Sequence, residues 1–82
     1  MTTILDTTGL TCPLPVLKAE KALSRLSQGD ELTVLATDPL SVIDIPHMCQ
    51  NHGHNLVKSG EDDGVYVFRI LCGGARPTGG QN

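Results

Sequence analysis

The spacing of apolar positions changes several times along the chain, and each change marks an element. Thr3-Ile4-Leu5-Asp6-Thr7 is a brief apolar and β-branched run closed by Gly9, which predicts a strand. From Pro13 to about Ser27 the period becomes helical: Val16, Ala19, Ala22, Leu23 and Leu26 fall within one third of a helical wheel, and Gly29 ends the run. Glu31 to Thr37 returns to alternation, with Leu32, Val34 and Ala36 on one side, and predicts a second strand. Asp38-Pro39 pairs a capping acid with a proline and opens a helical turn through about Ile43. A residue before proline avoids the α region, so Pro46 predicts a break at Ile45 and a second helical piece from Pro46 to His52, closed by Gly53. Asn55 to Ser59 and Val65 to Leu71 predict two further strands joined by the loop Glu61-Asp62-Asp63-Gly64.

The order β-α-β-α-β-β predicts an α/β two-layer sandwich. Right-handed crossovers put both helices on one face of a four-stranded mixed sheet. With the last strand inserted beside the second, the sheet order is 1-2-4-3. Leu32, Val34, Tyr66, Phe68 and Ile70 then face the helices, and Thr33, Leu35, Thr37, Val65, Val67 and Arg69 face outward, toward water or a partner. Residues 1–72 are expected to form the folded domain and residues 73–82 a disordered Gly-rich tail.

Eighty-two residues make one small domain. One Phe, one Tyr and no Trp leave a core of aliphatic side chains, with no aromatic pocket for a self-contained cofactor site. A net charge of −3 argues against direct nucleic-acid binding, which needs a basic field and stacking platforms. The first residues carry no basic leader and no later run reaches membrane-spanning length, so a cytoplasmic protein without a membrane partner is expected. Three cysteines, widely separated and odd in number, suit free thiols in a reducing compartment better than a disulfide framework.

The chemistry centres on Gly9-Leu10-Thr11-Cys12-Pro13-Leu14-Pro15. Pro13 is expected at the first helical position, which makes Cys12 the cap residue, facing the N–H groups of Leu14 and Val16 and the positive end of the helix dipole. That setting favours a thiolate and marks Cys12 as a candidate nucleophile, with Pro13 and Pro15 as stiffening support. The plainer reading is a buried core cysteine beside a proline-started helix. Leu14, Lys18, Lys21 and Arg25 lie together opposite the apolar stripe, a candidate partner-docking ridge or simply a solvated face. His47, Cys49, His52 and His54 are ligand types for a metal, but their spacing matches no standard zinc pattern, and Cys49 is expected to pack beneath its helix. Cys72 is an adventitious thiol or, alternatively, a resolving partner for an oxidised Cys12. Gly73-Gly74 and Gly79-Gly80 read as flexible chain and not as a carrier terminus, since neither pair is terminal.

Leu5-Asp6-x-x-Gly9-Leu10-x-Cys12-Pro13-x-Pro15-Val16, then Asp38-Pro39, then Asp44-Ile45-Pro46-x-x-Cys49, resembles the TusA/SirA sulfur-carrier family from about Leu5 to Leu71. The resemblance implies a two-layer sandwich similar to the C-terminal domain of translation initiation factor 3, and a sulfurtransferase component that holds sulfane sulfur as a persulfide on Cys12. It further implies a cysteine desulfurase or rhodanese-like donor, an acceptor sulfur-relay protein, and a pathway among tRNA thiolation, sulfur oxidation and molybdenum-cofactor maturation. Leu14 stands where relatives serving tRNA thiolation often carry an acid, and Thr37 where many carry a second Asp. Two other classes of function compete: a regulatory interaction module using the open sheet face, with a structural or redox-sensing Cys12, and a small metal-binding protein using the His/Cys cluster.

Overall fold

A computed structural model describes residues 2–73. Strands β1 (Thr2–Thr7), β2 (Glu31–Ala36), β3 (Asn55–Asp62) and β4 (Val65–Leu71) form one sheet of order β1-β2-β4-β3, with helices α1 (Leu14–Ser24) and α2 (Ser41–His52) between the first three strands. β1 and β2 are parallel, and β4 runs antiparallel to both of its neighbours. This is the two-layer arrangement and strand order expected from the pattern.

The alternation explains the core. Leu32, Val34 and Ala36 of β2 and Phe68 and Ile70 of β4 are buried together, and α1 meets them with Ala19 and Leu23 while α2 supplies Ile45, Met48 and Cys49. Val16, Ala22 and Leu26 pack at the margin. Each large aliphatic side chain removed from water contributes about 1.5–3 kcal/mol, and these elements have no other source of comparable size. On the opposite face Thr33, Leu35, Val65 and Val67 are half-buried, and exposed Arg69 pairs with Glu31 at 2.8 Å. Thr37 departs from the expected outward row: it lies past the end of β2, and its hydroxyl accepts the Gly9 N–H at 2.9 Å.

Three boundaries differ from expectation. α1 stops at Ser24, because Ser24 Oγ donates to the Lys21 carbonyl at 2.6 Å and Arg25 N–H tightens onto Ala22. Gly29, at φ 93°, serves the following turn into β2 and does not cap the helix. α2 does not break at Ile45: it starts at Ser41 and continues through Pro46 to Gly53, a left-handed cap at φ 76°. Ile45 is fully buried, so docking to the core holds the helix together. Val42, whose carbonyl loses its partner to the proline ring, is exposed, so water can serve it. The final hairpin is tighter than a four-residue loop. Glu61 and Asp62 pair with Tyr66 and Val65, and the turn is Asp63-Gly64 with φ of 53° and 83°, the two positive values of a type I′ turn.

Gly73, expected to begin the tail, lies on the surface against the end of α2. Its N–H donates to His54 Nδ1 at 2.9 Å, and a Cβ at this position would be driven into the Gly53 carbonyl oxygen. The remainder of the expected tail, including the second glycine pair, lies outside the described residues.

Candidate functional site

Parallel neighbours end at the same edge of a sheet, so the chain leaving β1 and the chain leaving β2 emerge side by side. Local hydrogen bonds shape the first of these loops. Asp6 Oδ1 accepts the N–H and hydroxyl of Thr8 at 2.9 and 2.6 Å, and the Thr8 hydroxyl is the main reason the Asp6 carboxyl titrates below its ordinary range. The buried Thr7 hydroxyl donates to the Leu35 carbonyl at 2.5 Å, and Gly9, at φ 84°, turns the chain toward Thr37. The loop then delivers Cys12 to the start of α2.

Cys12 is exposed, and its backbone N–H donates to Asp38 Oδ2. Asp38 uses its other oxygen to accept the Leu40 N–H at 3.1 Å, while its carbonyl accepts Ser41 N–H at 3.0 Å. One side chain therefore joins the cysteine loop to the entry of α2. From the first turn of that helix, Asp44 Oδ2 receives the Cys12 Sγ–H at 3.1 Å.

These contacts correct the expected electrostatics. Pro13, not Cys12, is the residue that precedes the helix; Pro15 lies in the first turn, and the Cys12–Pro13 peptide is cis. Leu14 N–H is already committed to the Thr11 carbonyl at 2.9 Å, and neither proline has an N–H to offer. Leu14 N–H, one of the two donors expected to face the sulfur, is therefore not available to an anion on Cys12. The hydrogen bond to Asp44 leads the opposing effects; with partial desolvation and the charges of Asp44 and Asp38, it pushes the thiol above its ordinary pKa. The resting side chain is a thiol, accessible but protonated. Asp44 was visible in the sequence only as part of a motif, because 32 residues separate it from the sulfur it touches.

The docking candidates Leu14, Lys18, Lys21 and Arg25 are all exposed along α1 and its C-terminal cap. On a different face of α1 a groove of about 210 Å³ runs between the helices, with Pro13, Val16 and Glu20 on one wall and Asp44, His47 and Met48 on the other.

The His/Cys constellation does not converge on one point, although the rings of His52 and His54 stack with centroids 6.5 Å apart. Cys49 is buried as expected, and burial pushes its thiol up to about 11. His47 lies 3.4 Å from Asn51, His52 pairs with Glu20 at 3.5 Å, and His54 receives the Gly73 N–H. Among the described residues no group of three or more His, Cys, Asp and Glu is placed to hold a metal ion. Cys72 is buried beneath the far end of α1, with its Sγ 3.6 Å from the Leu23 carbonyl oxygen. Eleven helical residues span about 16 Å, so a resolving bond to Cys12 at the near end is beyond disulfide reach.

An exposed thiol thus stands where the loop before α1 meets the start of α2, on a surface open to another protein. The family model "Sulfurtransferase TusA" matches residues 3–71, and the chain belongs to this family of sulfur carriers, which relay persulfide sulfur through a cysteine to partner proteins. It is 53% identical over 66 residues to a candidate sulfur carrier protein of Neisseria meningitidis serogroup A, covering 80% of this chain and 89% of that one. It is 46% identical over 66 residues to the sulfur carrier protein TusA of Allochromatium vinosum, with 80% and 87% covered. The crystal structure of a SirA-like protein from Desulfitobacterium hafniense superposes with a TM-score of 0.78 at 32% identity, over 89% of this chain and 99% of that one.

Proposed function

We propose that Cys12 is the residue that bears the sulfur, loaded by a cysteine desulfurase or rhodanese-like donor and emptied by an acceptor of the same relay. The observation that carries this reading is accessibility: of the three cysteines Cys12 alone is exposed, while Cys49 and Cys72 are buried. Transfer needs one thiol to reach the outer sulfur of a neighbour's persulfide, and a buried sulfur cannot meet another protein. In loading, Cys12 Sγ bonds to that outer sulfur as the donor S–S bond breaks. The Cys12 proton ends on the departing donor sulfur, so no oxidant or reductant is consumed. Pro13 and Pro15 support the presentation of Cys12, and the exposed ridge of Leu14, Lys18, Lys21 and Arg25 offers an acidic partner a basic track beside it. Three unpaired cysteines suit a reducing compartment, which favours the cytoplasm.

Intact mass measurement after incubation with a cysteine desulfurase and cysteine tests the assignment. The expected result is a gain of one sulfur atom that maps to Cys12 and is absent from Cys12→Ser. A sulfur that maps elsewhere, or persists in Cys12→Ser, overturns it. An interaction module with an inert cysteine would instead keep its function in that variant.

A further inference from the structure

Resting on the reading that Cys12 carries the sulfur, we propose that Asp44 latches the empty carrier, and that a docking partner releases the latch by placing an arginine or lysine cation against Asp44. The two carboxylates at the sulfur are not equivalent. Asp38 commits its oxygens to the backbone N–H groups of Cys12 and Leu40, a structural duty, whereas Asp44 contacts the thiol itself at 3.1 Å. Asp44 is therefore the group whose charge most directly governs whether the thiol can ionise.

The surroundings make this control depend on the partner. Leu14, Leu40 and Ile43 are neighbours in sequence of Cys12, Asp38 and Asp44, and they are 42%, 52% and 67% exposed. A protein that docks over Cys12 covers these side chains and removes water from the site. Attack then requires a thiolate beside two carboxylates in a medium of lower dielectric, where like charges repel more strongly. An apolar or acidic partner surface would deepen the latch. A cation against Asp44 offsets the repulsion and also balances the anionic persulfide once loading is complete. The matching surface is bipolar, with acidic groups facing Lys18, Lys21 and Arg25 and one cation facing Asp44, an arrangement that permits a single docking orientation. In the free carrier the protonated thiol is protected from adventitious oxidation and alkylation.

Charged thiol reagents stand in for the partner. The folded protein is reacted with trimethylammonioethyl, sulfonatoethyl and methyl methanethiosulfonate, modification is mapped to Cys12 by mass, and the rates are divided by those of an unstructured cysteine peptide. After this correction the wild type is expected to prefer the cationic over the anionic reagent on the order of tenfold. Raising salt to about 1 M, where the Debye length falls to about 3 Å, should shrink that preference. Asp44→Asn should lose most of it and react severalfold faster with the neutral reagent. A wild-type ratio equal to the peptide's, a ratio insensitive to salt, or one unchanged in Asp44→Asn overturns the latch. The salt series uses the wild type alone, so it decides the matter even if the variant folds poorly. Failure of Cys12 to accept a persulfide in the mass experiment would overturn the carrier assignment instead, whatever the reagent ratios show.

Discussion

The thiol of Cys12 and the carboxylate of Asp44, 32 residues apart in sequence, lie 3.1 Å apart, and the hydrogen bond between them raises the thiol's pKa and so favours its protonated form. Accessibility and reactivity are thus separated in this domain. The fold presents the sulfur to any neighbour, while the chemistry waits for a change in its electrostatic surroundings.

Asp38 holds two loops together through the N–H groups of Cys12 and Leu40. Asp38→Ala is expected to cost about 1–2 kcal/mol, the range for losing a charged acceptor of backbone N–H groups. Denaturant unfolding measures the stability, and sulfur transfer should fall further than the lost stability explains, because the Cys12 loop loses its anchor. Transfer that tracks the folded fraction alone would reduce Asp38 to a structural residue.

Charge reversal at Lys18 and Lys21 should slow acceptance of sulfur from an acidic donor surface. The deficit should be largest at low ionic strength and fade as salt screens the ridge. Rates measured against salt for Lys18→Glu and Lys21→Glu check this, and superimposable curves would leave the ridge a solvated face.

Gly73 fits against Gly53 without room for a Cβ. Gly73→Ala is expected to destabilise the domain by about 1–3 kcal/mol through overpacking, since the obstacle is backbone and cannot rotate away. Urea unfolding at neutral pH reads the loss. Cys12 alkylation should stay near the wild-type rate, because the clash lies at the end of α2 remote from Asp44.

Cys49 predicts a loss of stability in alkali. Its folded-state pKa is raised from 9.0 to about 11 by burial, so between these values the unfolded chain releases a proton that the native state retains. The contribution is complete below about pH 9 and declines as pH rises toward 11. Cys49→Ala should flatten part of that decline in chemical denaturation measured at several pH values. A residual slope is expected from Cys12, whose pKa is also raised.

The layers and their inward faces were legible in the sequence because they rest on local or periodic signals, and the order β1-β2-β4-β3 followed once the last strand was inserted beside the second. Alternation placed Leu32, Val34, Phe68 and Ile70 inward, and the helical stripe placed Ala19 and Leu23 against them. A residue's face depends on its immediate spacing, and burial enforces that spacing. Helix ends and turns were less legible because they depend on which side wins a local competition. Burial of Ile45 carries α2 through Pro46, and pairing of Glu61 and Asp62 shortens the final loop.

By itself the sequence determined that this is an α/β sandwich of the TusA family with a cysteine at the head of its first helix. Only the tertiary structure decided the state of that cysteine. A Coulombic contact depends on distance in space, and the parallel pairing of β1 and β2 sets two acids from a remote segment beside the sulfur. The sequence points to a helix end that favours an anion, whereas in the fold Leu14 N–H is taken by the Thr11 carbonyl and the two carboxylates favour the thiol.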